Sequence, residues 1–138
     1  MRQEIDVLHV TTRRGLNDVT DAVRERLRAS GLREGLCTVF LRHTSASLVI
    51  QENADPAARR DLEGFLDRLV PDGDPLYTHT AEGDDDMPSH VKAALTHTSE
   101  QIPFRGGDLL LGTWQGIYVW EHRTGRHRRE LAVHLAGD

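Results

Sequence analysis

Near the C-terminal end of the chain, Leu131, Val133 and Leu135 alternate with Glu130, Ala132 and His134. Successive side chains of a strand point to opposite faces, so this pattern predicts a strand with one apolar and one polar face. A half-apolar strand must hydrogen-bond to neighbours and bury its apolar side under another layer. The rest of the chain supplies both. Residues 3–11 carry Ile5, Val7, Leu8 and Val10, and residues 36–41 and 46–50 are rich in strand formers. Residues 101–104, 109–111 and 115–121 continue the strand pattern, and Gly106-Gly107 and Thr124-Gly125 read as hairpin turns.

Three helices fall between these strands. Asn17 reads as an N-cap before Val19, Val23 and Leu27, with Ser30-Gly31 as the stop. Asp55-Pro56 is a cap followed by a first-turn proline, and Leu62, Phe65, Leu66 and Leu69 share one face. A short helix over 87–95 starts near Asp86, after a polar loop over 77–86. This order of elements is α+β, and 138 residues form one domain over 1–138.

Composition excludes several classes. The formal net charge is -5 with a pI of about 5.9, which does not favour a general nucleic-acid binder; the arginines at 123–129 are a local run. No apolar stretch is long enough to span a membrane, and no leader-like segment follows Met1. The single Cys37 excludes an internal disulfide framework and a cysteine-rich zinc site, which leads to the expectation of a cytoplasmic protein. Eight histidines are the first sign of chemistry, because imidazole binds metals and titrates near neutral pH.

Three segments concentrate reactive side chains. Arg42-His43-Thr44-Ser45-Ala46-Ser47 closes an apolar strand with small polar residues, suited either to an anion or simply to capping the strand end. His79 and His90 stand eleven residues apart with Glu82, Asp84, Asp85 and Asp86 between them, a histidine–carboxylate set suited to a divalent metal; a solvated acidic loop is the plainer alternative. Gly112-Thr113-Trp114-Gln115-Gly116 and the following Tyr118 and Trp120 offer close backbone approach and flat surfaces, or core filling. Glu121 and Arg123 share a strand face and read as a pair.

His43-Thr44-Ser45-Ala46-Ser47-Leu48 with Glu52-Asn53-Ala54-Asp55-Pro56, the stretch Glu82-Gly83-Asp84-Asp85-Asp86-Met87-Pro88-Ser89-His90, and Gly112-Thr113-Trp114-Gln115-Gly116-Ile117-Tyr118 together resemble the YjbQ family, also called secondary thiamine-phosphate synthases. The likeness runs over essentially the whole chain, departing at Ser89 and His97. It implies a compact α+β domain with a mixed, mostly antiparallel, sandwich- or barrel-like sheet, assembled as a homotrimer. It implies a divalent metal (Zn, Mn, Fe or Ni) on His43, His79 and His90. Ser45, Ser47, Lys92 and Arg123 are then expected to hold phosphate or diphosphate, and Glu52, Asp61 or Asp86 to orient ligands or act as base. The implied activity joins a pyrimidine methyl diphosphate to a thiazole phosphate, with magnesium entering on the diphosphate. A metal-dependent hydrolase of a phosphorylated small molecule, or a non-catalytic metal- or metabolite-binding trimer, would use the same residues.

Overall fold

The computed structural model describes all residues, Met1–Asp138. The frame is a six-stranded sheet of β1 (Arg2–Asp18), β2 (Gly35–Leu41), β3 (Ala46–Glu52), β4 (Ser99–Arg105), β5 (Asp108–Leu109) and β6 (Gln115–Gly137). Its order is β1-β6-β2-β4-β5, with β3 also paired to β6. Three helices, α1 (Thr20–Ser30), α2 (Pro56–Leu69) and α3 (Asp86–Leu95), complete a single α+β domain. Every pairing is antiparallel, so the expected mixed sheet is corrected to a curled antiparallel one.

Strand β6 organises the rest. Its first half pairs with β3 (Leu48↔Val119, Ile50↔Ile117), its second half with β2 (Val39↔Val133, Leu41↔Leu131), and β1 runs along its other edge. Leu131, Val133 and Leu135 are buried as their alternation predicts, in a core shared with Val39 and Leu41 of β2 and Val23 and Leu27 of α1. Gly31 closes α1 in the left-handed conformation, φ 72°, as expected of a C-cap glycine. Asp55 accepts the Ala57 N–H at 2.9 Å and caps α2, also as expected. Gly106 and Gly107, at φ 64° and 78°, form the tight turn between β4 and β5.

Two expectations fail. Thr124-Gly125 is not a hairpin. Strand β6 continues through it, but while β1 advances from Arg13 to Gly15, β6 retreats from Arg126 to Glu121. Residues 122–125 therefore have no ladder partner and form a wide bulge. Asn17 is not a helix cap. It lies at the end of β1, where its side-chain amide donates to the carbonyls of Arg13, Gly15 and Val119 and its oxygen accepts the Arg13 N–H. The cap position of α1 is Val19, whose side chain makes no cap bond, and Asp18 just before it accepts the Thr20 N–H at 2.9 Å. Trp114 lies in the turn before β6 and is exposed, while Trp120 on β6 is buried.

The bulge sets Glu121 beside Arg129. Both are buried, and Arg129 Nε donates to Glu121 Oε1 at 2.7 Å. Thr12 Oγ1 donates to the same oxygen at 2.7 Å, and the Arg123 N–H to Oε2 at 3.1 Å. Arg123 is thus not the side-chain partner of Glu121. Burial alone raises the Glu121 pKa, but these hydrogen bonds outweigh it and hold the carboxyl below its ordinary value. Removing one member of a buried pair leaves an uncompensated charge. Arg129→Met is expected to cost about 3–5 kcal/mol of unfolding free energy by denaturant titration, far more than the same change at exposed Arg126.

Candidate metal and phosphate site

Helix α3 starts at Asp86 because the chain before it is tied down from the bulge. Arg123 Nε and Nη2 each lie 3.3 Å from an Asp85 carboxylate oxygen, and the Thr124 N–H donates to that carboxylate at 2.8 Å. Arg123 Nη2 also donates to the Glu82 carbonyl at 2.7 Å. Burial works to raise the Asp85 pKa, but the bonds from Arg123 and Thr124 prevail and bring it to about 2.

With the helix start fixed, buried Asp86 stands between the two histidines. His79 Nε2 is 2.8 Å and His90 Nε2 3.3 Å from Asp86 Oδ2, and one ligand atom from each of the three residues lies within 4.8 Å of the others. His79 comes from the loop and His90 from the following helical turn, which carries both rings to one carboxylate. The His90 tautomer is fixed by the backbone. Its Nδ1 is 2.8 Å from the Thr44 carbonyl, which only accepts, so Nδ1 carries the proton and donates. In the neutral ring Nε2 is then a lone pair directed at a carboxylate oxygen. Two acceptors then face each other, a conflict that either a proton on Nε2 or a metal ion between them resolves. Two imidazoles and one carboxylate, one imidazole oriented by a backbone carbonyl, form a donor set that could hold a divalent ion.

His43 is not part of this group. Its Nε2 accepts the Glu130 N–H at 2.7 Å, which ties the ring to β6. Burial, reinforced by the Arg129 charge, lowers its pKa. Because Nε2 accepts, Nδ1 carries the proton and faces Arg129 Nη1 at 3.4 Å, leaving two donors side by side. Asp86 occupies the place in the cluster that the resemblance gives to His43. His43 instead shares with His90 a cavity of about 510 Å³, whose apolar wall includes Phe40, Ala46 and Ala93 and whose rim carries Arg42.

The other expected site residues divide. Lys92 is buried and donates to Asp67 at 2.6 Å, and Arg123 is held by Asp85, so neither cation is free for phosphate. Ser47 Oγ is bonded to His122 Nε2 at 2.9 Å, and the Ser45 carbonyl accepts from Arg129 Nη2 at 3.4 Å. Glu52 accepts the Asp55 N–H at 3.1 Å and steadies the start of α2, while Asp61 is exposed without a hydrogen bond; neither shares a cavity with His79 or His90. Of the three expected carboxylates, only Asp86 reaches the histidines. Arg129, Asp67 and His122 carry no signal of their role in the sequence, and Glu121 reads there as the partner of Arg123 instead. Glu121 and Arg129 meet only through the bulge, Asp67 approaches Lys92 from a different helix, and His122 is buried by the sheet.

A family profile described as UPF0047 protein YjbQ-like matches residues 3–138. The chain is 49% identical over 138 residues to a UPF0047 protein of Synechocystis sp., covering 99% of this chain and 94% of that protein. It is 44% identical over 128 residues to the UPF0047 protein YjbQ of Salmonella typhimurium, covering 91% of each. Among solved structures, a hypothetical protein from Aeropyrum pernix superposes with a TM-score of 0.88 at 31% identity, covering 98% of this chain and 99% of that one. A conserved hypothetical protein from Thermus thermophilus gives 0.85 at 33%, covering 95% and 99%. The chain belongs to the UPF0047 YjbQ-like family.

The Asp85 anchor has a pH signature. A carboxyl whose folded pKa is depressed stabilises the fold above its unfolded value, and that contribution is lost as pH falls through the folded value. Wild type is therefore expected to lose stability between the ordinary value of 3.8 and about 2, and Asp85→Asn to lose less over that window while being less stable near neutrality. Urea midpoints measured across this range check it.

Proposed function

We propose that this YjbQ-like protein acts on a phosphorylated small molecule at a divalent metal held by His79, Asp86 and His90. The observation that carries the reading is the His90 lone pair, fixed by the Thr44 carbonyl and aimed at the Asp86 carboxylate. The ligand set suits Zn, Mn, Fe or Ni, and its residues differ from the His43, His79 and His90 of the resemblance by the exchange of Asp86 for His43. Bound there, such an ion polarises a phosphoryl oxygen and makes water more acidic.

The neighbouring cavity supplies the rest. Its volume of about 510 Å³ suits a small organic molecule, with Phe40, Ala46 and Ala93 against the carbon body. Arg42 is the cation available to phosphate. Its present partner is Glu130 at 2.7 Å, but both side chains are substantially exposed, 54% and 39%. An ion pair that open to water contributes little, so Arg42 exchanges it for a phosphate at small cost. His43 Nδ1–H adds a neutral donor from the wall.

These residues favour attack by water over the coupling of two phosphorylated heterocycles. Coupling leaves a diphosphate to be stabilised, and the two cations expected there, Lys92 and Arg123, are committed to Asp67 and Asp85. Exposed Phe65 and Leu69 on α2, with Trp114, support the homotrimer that the resemblance implies, since a second copy would cover them.

Metal content after reconstitution is expected to be stoichiometric in wild type and His43→Ala and to be lost in Asp86→Asn and His90→Ala. Loss in His43→Ala with retention in Asp86→Asn would overturn the ligand assignment. With the bound metal, phosphomonoesters and diphosphates of small heterocycles are expected to release phosphate singly. A coupled product would instead mark the synthase, and tight binding without turnover a non-catalytic module. Arg42→Met is expected to raise KM about tenfold with little change in kcat, as loss of a charge-assisted contact to substrate predicts.

A further inference from the structure

Two residues beyond His90 on α3, Lys92 enters a different cavity. Its volume is about 280 Å³, and Arg14, Glu63, Asp67, Lys92, Trp120 and His122 line it. Lys92 and His122 are 1% and 2% exposed, so this polar lining is built into the fold. Most of its charges are paired. Arg14 bonds Asp72 at 2.8 Å, Lys92 bonds Asp67 at 2.6 Å, and Glu121 at the edge is matched by Arg129. Glu63 has no cationic partner. Its Oε2 accepts only the Leu16 N–H at 3.0 Å, and it fits there because residue 15 is glycine: a Cβ at Gly15 would lie 1.9 Å from that oxygen.

His122 is the second unpaired element. Its Nε2 is bonded to Ser47 Oγ at 2.9 Å, while Nδ1 has no protein partner. No fully buried side-chain polar atom of the chain lacks a partner, so Nδ1 is not sealed in the core, and its residue lines this cavity. The cavity therefore offers one uncompensated negative charge, one unoccupied imidazole nitrogen and one indole.

We propose that this cavity binds a small protonated amine, its ammonium between the Glu63 carboxylate and His122 Nδ1 and its carbon body against Trp120. An anion would meet the leftover Glu63 charge and is disfavoured. A cation completes the pairing, and an indole face attracts it further. Burial, with Lys92 adding to it, drives the His122 pKa down to about 3, so the ring stays neutral at pH 7. The bound amine selects the tautomer in which Nε2–H donates to Ser47 Oγ, because only then is Nδ1 free to accept an ammonium N–H. The volume lies below the usual range for drug-sized ligands and fits an amine of a few carbons. This site is separate from the metal reading and stands or falls without it.

The test is an NMR titration of the full chain, demetallated so that no ion at His79 and His90 contributes. The probe is ethylammonium chloride, with sodium chloride and 1-propanol as controls. The Trp120 indole signal, assigned against Trp114→Phe, and the His122 ring nitrogens are followed. Saturable shifts at both with ethylammonium alone, weakened about tenfold by Glu63→Gln, are expected. The glutamine keeps an oxygen for the Leu16 N–H, and its melting temperature reads whether the fold persists. Equal shifts with sodium chloride or propanol, no saturation, or unchanged affinity in a folded Glu63→Gln would overturn the proposal. Should that variant unfold, the wild-type titration against its two controls decides alone.

Discussion

The fold turns on the buried contact between Glu121 and Arg129 across the β6 bulge. An uninterrupted strand would hold two residues eight positions apart far from one another. Removing residues 122–125 from the ladder brings them side by side, and the charges then hold the bulge closed. In return the bulge turns Arg123 and Thr124 onto Asp85, which fixes where α3 begins. The placement of Asp86 and His90 is thus a consequence of pairing in the sheet. Arg129 also reaches the Ser45 carbonyl, so the polar turn after β2 is tied to the same contact. A sheet held together only by apolar packing would tolerate several registers near a bulge. A buried carboxylate that accepts from Arg129, Thr12 and the Arg123 N–H tolerates one.

Helix α3 separates two polar environments. His90 joins Asp86 and His79 where side chains are partly exposed, and Lys92, two positions on, is buried against Asp67. The imidazoles of the chain differ for the same electrostatic reason. Burial, reinforced by Lys92, lowers the His122 pKa, and burial with the Arg129 charge lowers that of His43, whereas His79 and His90 both reach the Asp86 carboxylate.

Much of the architecture was legible before the coordinates. The alternation at 131–135, the Asp55-Pro56 start of α2 and the Gly31 and Gly106-Gly107 turns all took the conformations that local sterics prefer. Thr124-Gly125 misled because glycine at a bulge and glycine at a hairpin carry the same signature, a positive φ. Asn17 misled because a side chain that caps a helix equally well satisfies the backbone of a kinked strand. At the site, His79, Asp86 and His90 were all marked by their spacing. The resemblance names Asp86 as a group that orients ligands or acts as base and places His43 with the two histidines, whereas in the fold the His43 ring is tied to the Glu130 backbone, far along the chain.

The sequence by itself determined what short-range physics determines: strand periodicity, helix starts and stops, an acidic composition, and a His–Asp–His grouping within twelve residues. The tertiary structure alone decided which charges are spent. Lys92 and Arg123 are expected to hold phosphate, but Lys92 is consumed by Asp67 of α2 and Arg123 by Asp85 ahead of α3; Arg129 is matched by Glu121 across the bulge of their own strand, while Arg42 keeps only an exposed partner and Glu63 has no cation. Charge pairing depends on distances set by strand register and a four-residue bulge, and these exist only once the chain has folded.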